Sequence, residues 1–138
     1  MVTINNSSLT YTVYKTIYDY LKTITFSASK TVTITAKYID SAESMPQVVL
    51  GQPGVESKDY VFDRSNSNRD ISIVIDVYTT GTGKNKDRSL ITDKIVSSLE
   101  GNKFTGLTLL DVTSNPSLSV DNENKVLNST ISVSYVRR

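Results

Sequence analysis

Few residues of this chain could do chemistry, and none forms a recognised catalytic set. The chain has no cysteine and no histidine, so it lacks thiolate nucleophiles, the usual transition-metal ligands and the most common general base. The remaining candidates are carboxylates, such as Asp70 with Asp76, or Asp59 with Asp63. Acid–base catalysis needs a pocket and one carboxylate with a shifted pKa, and the sequence indicates neither. We therefore predict that the protein is not an enzyme and holds no metal or cofactor.

A glycine-rich segment beginning at Gly81, with the sequence GTGK, superficially matches a nucleotide-binding loop. That motif requires GxxxxGK followed by Ser or Thr, whereas here the glycines are two residues apart and Asn85 follows the lysine. The sequence instead predicts a polar loop over residues 81–87. We expect it to contact an acidic surface of a partner through three basic residues: Lys84, Lys86 and Arg88.

Charge and composition restrict the possible partners. The 138 residues suit a single domain over residues 1–138. Lys and Arg total 15 against 14 for Asp and Glu, so the net charge of +1 lacks the basic excess of duplex-binding proteins, and at most weak contact with DNA is expected. No window approaches the roughly 18 apolar residues of a membrane span, and the first residues lack the pattern of a secretory signal. We therefore expect no membrane partner.

A strand followed by a helix organises the middle of the chain. Four apolar residues alternate with more polar ones and predict a half-buried strand: Ile71, Ile73, Ile75 and Val77. Three apolar residues then recur every four positions and predict one stripe of a helix: Ile91, Ile95 and Leu99. We expect this helix to begin after a cap at Asp87 or Ser89 and to end at Gly101 in a left-handed conformation.

A second amphipathic helix is predicted from a cap at Ser7 or Ser8 to about Thr23. Its apolar stripe has four members: Leu9, Val13, Ile17 and Leu21. Three tyrosines form an adjacent stripe: Tyr11, Tyr14 and Tyr18. The two stripes together cover more of the helix than one sheet can shield. The tyrosine rings therefore either lie along the domain's own surface or are buried by a neighbouring subunit, where tyrosine is favoured.

The remaining segments have the patterns of strands and turns. Predicted strands cover residues 31–39, 45–51, 60–62, 107–112 and 126–136. Predicted loops and turns cover residues 52–58, 63–70, 115–116 and 121–125. We expect residues 60–62 to form a hairpin with the Ile71 strand, and Asn128 to lie on the hydrated face of the last strand. The order of elements predicts an α+β fold, with a mainly antiparallel sheet and two helices packed on one face.

This layout resembles the tail-terminator family of long-tailed bacteriophages, also called tail-completion proteins. The matching elements are the opening helix from Leu9 to Leu21, the Met45–Gly51 strand, the Ile71–Val77 strand with the Arg88–Glu100 helix, and the Ile131–Val136 strand. The resemblance implies an α/β sandwich that assembles into a hexameric ring in the virion, after synthesis in the host cytoplasm. The ring stops growth of the tail tube and presents a docking surface to the head connector. Its implied partners are copies of itself, the tail tube protein and a connector or stopper protein.

Two other functions are also compatible with these sequence patterns. A head-completion or stopper protein of the neck belongs to the same setting but builds a different part of it. A monomeric ligand-binding domain belongs to another class, and it requires a concave pocket with convergent polar groups.

Overall fold

The computed structural model describes residues 9–28, 30–58, 68–81, 83–121 and 126–137. Its helices are α1 (Leu9–Thr23) and α2 (Lys84–Gly101), with a short 3₁₀ turn at Ala42–Ser44. Its strands are β1 (Thr33–Thr35), β2 (Gln47–Leu50), β3 (Gly54–Lys58), β4 (Asn68–Thr79), β5 (Leu107–Asp121) and β6 (Val126–Arg137).

The strands form one six-stranded sheet: five of them follow the order β1-β2-β4-β6-β5, and β3 pairs with β4 outside that order. Strand β6 pairs along almost the whole of one edge of β4, while β2 and β3 share the other edge. Every described pair is antiparallel except β1 with β2. The predicted α+β class with a mainly antiparallel sheet is therefore confirmed.

The core lies between the helices and one face of the sheet. The alternating apolar residues of β4 are buried, and so are the predicted stripes of both helices. All of them belong to one cluster with residues of β6, such as Ile131 and Val133. The opposite face, which we call the outer face, carries Ser72 and Val74 of β4, both exposed. Both helices therefore pack on the same face, as the periodicities predict.

The start and end of α2 differ from the prediction. The helix begins at Lys84 directly after Gly83, and no loop extends to residue 87. Gly81 and Gly83 have φ angles of 78° and 81°, which glycine adopts without strain, so the chain turns sharply enough to begin the helix at once. At the other end, Gly101 is the last helical residue and Asn102 is extended, with φ −112°. The predicted left-handed ending at Gly101 is wrong.

Two predicted loops are strands, because partners along the sheet complete their hydrogen bonding. Residues 54–58 form β3 and pair with β4. The sequence predicts residues 60–62 as that partner instead. Residues 115–116 are not a turn but lie within β5, paired with β6. Residues 68–70 of the turn predicted over 63–70 begin β4, and residue 121 of the turn predicted over 121–125 ends β5, so these parts of the two predictions are wrong. Residues 60–62, 63–67 and 122–125 lie outside the described residues.

The strand predicted over residues 31–39 is only three residues long. The chain after β1 leaves the sheet and folds over part of the outer face, where Gln47 of β2 is fully buried. The Gln47 side chain accepts a hydrogen bond from the Ile39 N–H at 2.9 Å and donates one to the Ile39 carbonyl at 2.7 Å. The Tyr38 ring lies 4.6 Å from that of Tyr78 on β4, centroid to centroid. These contacts take the place of the backbone hydrogen bonds that a longer β1 would have made with β2.

Candidate interaction surfaces

The tyrosine stripe of α1 is divided between the interior and the solvent. The Tyr14 and Tyr18 rings stack with centroids 5.7 Å apart and pack against the core cluster. The Tyr18 hydroxyl donates to the Ile34 carbonyl at 3.2 Å, and Lys22 Nζ lies 4.8 Å from the centre of the Tyr18 ring. Tyr11 alone of the three is mostly exposed, at 59%. The domain's own fold thus accounts for two of the three rings, and Tyr11 is the one left available to a partner.

Burial raises the pKa of Tyr14 above its ordinary value, and the neighbouring Tyr18 adds to the rise. The Tyr14 hydroxyl therefore stays protonated at neutral pH. A neutral ring with a protonated hydroxyl can bury apolar area and still donate a hydrogen bond, so this part of α1 suits packing against protein better than binding a charged ligand.

The three basic residues predicted to meet a partner all lie in the first turns of α2. Lys86 is exposed, whereas Lys84 and Arg88 are half-buried. The Lys84 carbonyl accepts a hydrogen bond from the Thr79 hydroxyl at 2.9 Å, which fixes the start of the helix against the end of β4. The positive end of the helix dipole adds to their charge. The structure therefore gathers these residues at one helix end, but on different sides of it.

Arg88 is attached to the sheet, not extended into solvent. Its Nη1 donates to the Asn128 carbonyl at 3.3 Å. Asn128 is buried, at 9% exposure, so its predicted hydrated position is wrong. It lies opposite Tyr78 of β4, in the part of the outer face that residues 38–39 approach. Arg88 consequently has a structural role beside any contact with a partner.

The outer face of the sheet is polar and acidic where it is open. Ser72 and Ser134 lie opposite each other on β4 and β6, and Asp76 accepts a hydrogen bond from the Thr130 hydroxyl at 2.7 Å. Asp111 on β5 is exposed. Asp76 and Asp111 therefore give the middle of this face a negative charge, which favours a basic partner there.

Exposed apolar side chains interrupt these polar surfaces. Four of them lie on four different elements or segments: Ile39, Val74 of β4, Leu90 of α2 and Leu110 of β5. Leu110 is 55% exposed and follows from a bulge between Leu109 and Asp111. The exposure of Leu90 and Leu110 does not follow from the sequence pattern, because exposure at a bulge or on the outer side of a helix depends on how elements pack.

Two clefts on the described surface are lined by a mixture of polar and apolar residues. One of about 410 Å³ lies beside the end of α2, and its lining includes Phe104, Leu107, Glu100 and Lys103. Another, of about 400 Å³, lies on the outer face beside Leu110. In the described part of the chain, no three His, Cys, Asp or Glu side chains are placed to hold a metal ion. Neither of the described helices is long and apolar enough to cross a membrane.

Comparison with known proteins does not identify the chain. No protein-family model matches it, and no curated protein matches it either. One similar solved chain comes from a structure described as "Virion of native gene transfer agent (GTA) particle", with a TM-score of 0.49 and 14% sequence identity. The match covers 88% of this chain and 90% of that chain. The similar chain is a virion component, and a likeness this weak does not assign the function of a tail terminator.

Proposed function

We propose that this chain is a structural protein of a phage-like virion. It forms a ring, of six copies by the family resemblance, at the head-proximal end of a tail tube. The ring ends tube growth and gives the head connector its docking surface. Its partners are copies of itself, the tail tube protein and a connector or stopper protein, and DNA passes through it with weak contact at most. The role is not catalytic.

The observation that carries this proposal is the distribution of contact features over separate surfaces. Tyr11 projects from α1, Lys86 from the start of α2 and Leu110 from β5, on different elements of the fold. A ligand-binding domain would instead concentrate its polar groups in one concave pocket. A ring subunit needs separate surfaces, because it touches two neighbouring copies and a different partner on each side of the ring.

The order of the elements gives further support. An amphipathic helix, a short strand after a proline, a long alternating strand, a second helix and a closing alternating strand follow in the order of the family layout.

Tube growth in the presence of this chain tests the proposal. The purified protein would be mixed with the tail tube protein of the same virion, and tube lengths would be measured by electron microscopy. We expect rings of this chain at one end of each tube and no further elongation from that end. Tubes that elongate to the same length with and without the chain would contradict a terminator.

The other two functions give different results in related experiments. A stopper protein would bind the portal side of the connector and leave the tube end free. A ligand-binding domain would bind neither the connector nor the tube. Its melting temperature would rise when one compound of a metabolite panel is added.

A further inference from the structure

Strand β5 forms a long free edge of the sheet. It has 15 residues and β6 as its neighbour on one side, and no other described strand lies beside it. An edge strand presents a row of N–H and C=O groups that a further strand can pair with. The length of β5 makes this edge a template for strand addition.

The first part of this edge lacks the usual protection against pairing. Native edges are commonly short or carry lysine and proline. From Leu107 to Asn115 the strand contains no lysine, arginine or proline, and its one charged residue is Asp111. The bulge at Leu110 bends the strand, but it leaves an apolar side chain 55% exposed at the edge. Pro116 ends this stretch, since proline has no N–H to donate.

The opposite side of the sheet also has a free edge, formed by β3, which lies across the sheet from the start of β5. Strand β3 pairs with β4, and no other described strand pairs with it. One row of paired residues crosses the whole sheet at this level: Glu56, Asp70, Val136 and Thr108. Two copies placed side by side would therefore bring β3 of one copy against the start of β5 of the other.

The strand directions also agree. Strand β3 is antiparallel to β4, β4 to β6, and β6 to β5. Strands β3 and β5 therefore run in opposite directions, and side-by-side copies would present them to each other as an antiparallel pair. Antiparallel pairing is the more stable arrangement per residue.

We infer that β5 of one copy pairs with β3 of the next copy, so that neighbouring sheets become continuous. The contact joins two different surfaces, so it is a head-to-tail contact that closes into a ring or extends as a filament. The inference rests on the proposed function only for closure of the ring. The pairing itself depends on this chain alone, because both edges belong to it.

Association of the purified chain tests this pairing. Light scattering would follow the mass from about 10 µM to about 1 mM, a range that detects even weak contacts. We expect the mass to rise above that of one chain as concentration increases. Hydrogen exchange at the two ends of the range should show slower exchange at residues 107–115 and 54–58 in the associated state.

Two matched leucine variants localise the contact. Leu110→Lys places a charge at the β5 edge and should weaken association about tenfold or more. Leu90→Lys makes the same exchange at a 39% exposed leucine of α2, which belongs to neither edge strand, and should associate like the wild type. Both leucines are exposed, so both variants should fold, which circular dichroism verifies.

Three results would overturn the pairing: one-chain mass at about 1 mM, wild-type association by Leu110→Lys, or protection on assembly at other segments only. None of them would by itself remove the proposed function, since a ring could still form on a tube end through other surfaces. Conversely, association through β5 without any effect on tube growth would support the pairing and contradict the proposed terminator.

Discussion

Ile75 and its neighbour Val74 show how one position along a strand decides the effect of a charge. Ile75 is fully buried under the helices, whereas Val74 is 43% exposed on the outer face. We predict that Ile75→Asp unfolds the domain, because an unpaired carboxylate in the core costs about 4 kcal/mol or more, a large part of a typical free energy of unfolding. Thermal denaturation followed by circular dichroism measures this.

Val74→Asp is the matched control for that experiment. Its carboxylate stays in water, so the melting transition should remain cooperative and close to that of the wild type. If both variants unfold, or neither does, the assignment of the two faces of β4 is wrong.

Tyr135 holds a polar atom in the core without a hydrogen-bond partner. The side chain is 1% exposed, and its hydroxyl has no partner among the described residues. The Phe104 ring meets it edge to face, with centroids 6.1 Å apart. Burial raises the pKa of the Tyr135 hydroxyl, and the nearby Tyr20 adds to the rise. The protonated form is therefore the one that folding requires.

Stability should consequently fall in alkaline solution. The pKa of Tyr135 is raised on folding from an ordinary value of 10.0, so its contribution is complete below that pH and is lost as the pH rises above it. Tyr14 and Tyr78, whose pKa values are also raised mainly by burial, act in the same direction. Urea denaturation between about pH 8 and pH 11 measures the decline.

Tyr135→Phe separates this residue from the other two tyrosines. The variant removes the unpaired hydroxyl, so its stability at pH 7 should equal that of the wild type or exceed it by up to about 1 kcal/mol. Its decline above about pH 10 should be smaller. If the free energy of unfolding of this variant is lower than that of the wild type by more than about 1 kcal/mol at pH 7, the hydroxyl has a hydrogen-bond partner in solution.

At the scale of elements, the two glycines that bound α2 differ in what they require. Gly83 precedes the helix at φ 81°, whereas Gly101 is its last helical residue. No atom lies within 4 Å of a Cβ added at either position, so crowding plays no part. We predict that Gly83→Ala destabilises the domain by about 1 kcal/mol, because only glycine adopts this left-handed backbone freely.

Gly101→Ala should instead stabilise the domain. Replacing a helical glycine with alanine raises the free energy of unfolding by about 0.5 to 1 kcal/mol. Chemical denaturation of both variants gives the two values side by side. Destabilisation by Gly101→Ala would restore the left-handed ending that the sequence predicts and contradict the observed one.

The elements that the sequence predicts well are those whose apolar residues follow one period without interruption. The helix stripes of α1 and α2 and the alternation in β4 each have a face that must be buried, and the structure buries them. Strand β3 and residues 115–116 of β5 are predicted as loop and turn, because Gly54, Asn115 and Pro116 favour turns. What makes these segments strands is a neighbouring strand, which local sequence does not encode.

At the scale of the whole molecule, the charges at the start of α2 allow assembly to be tested apart from folding. We predict that the double variant Lys84→Glu, Lys86→Glu folds normally, because acidic residues in the first turn of a helix favour its dipole by about 0.3 to 1 kcal/mol. The same variant should lose binding to the tube or connector, if an acidic partner surface meets this end. Sedimentation with assembled tubes measures binding.

The double variant Lys94→Glu, Lys103→Glu is the control for net charge. Both lysines are exposed and lie away from the start of α2. It should bind like the wild type at the same ionic strength. Equal loss of binding by the two double variants would indicate a general charge effect and would remove the assigned role of Lys84 and Lys86.

The sequence by itself determined the fold class, the buried faces of both helices and of β4, and the absence of cysteine and histidine chemistry. These follow from periodicity and composition, which are properties of consecutive residues. Only the tertiary structure decided that Tyr14 and Tyr18 belong to the domain's own packing, that Lys84 and Lys86 begin a helix, and that β5 is a free edge. Each of these depends on which distant segment lies alongside, and a linear pattern carries no record of its neighbours in space.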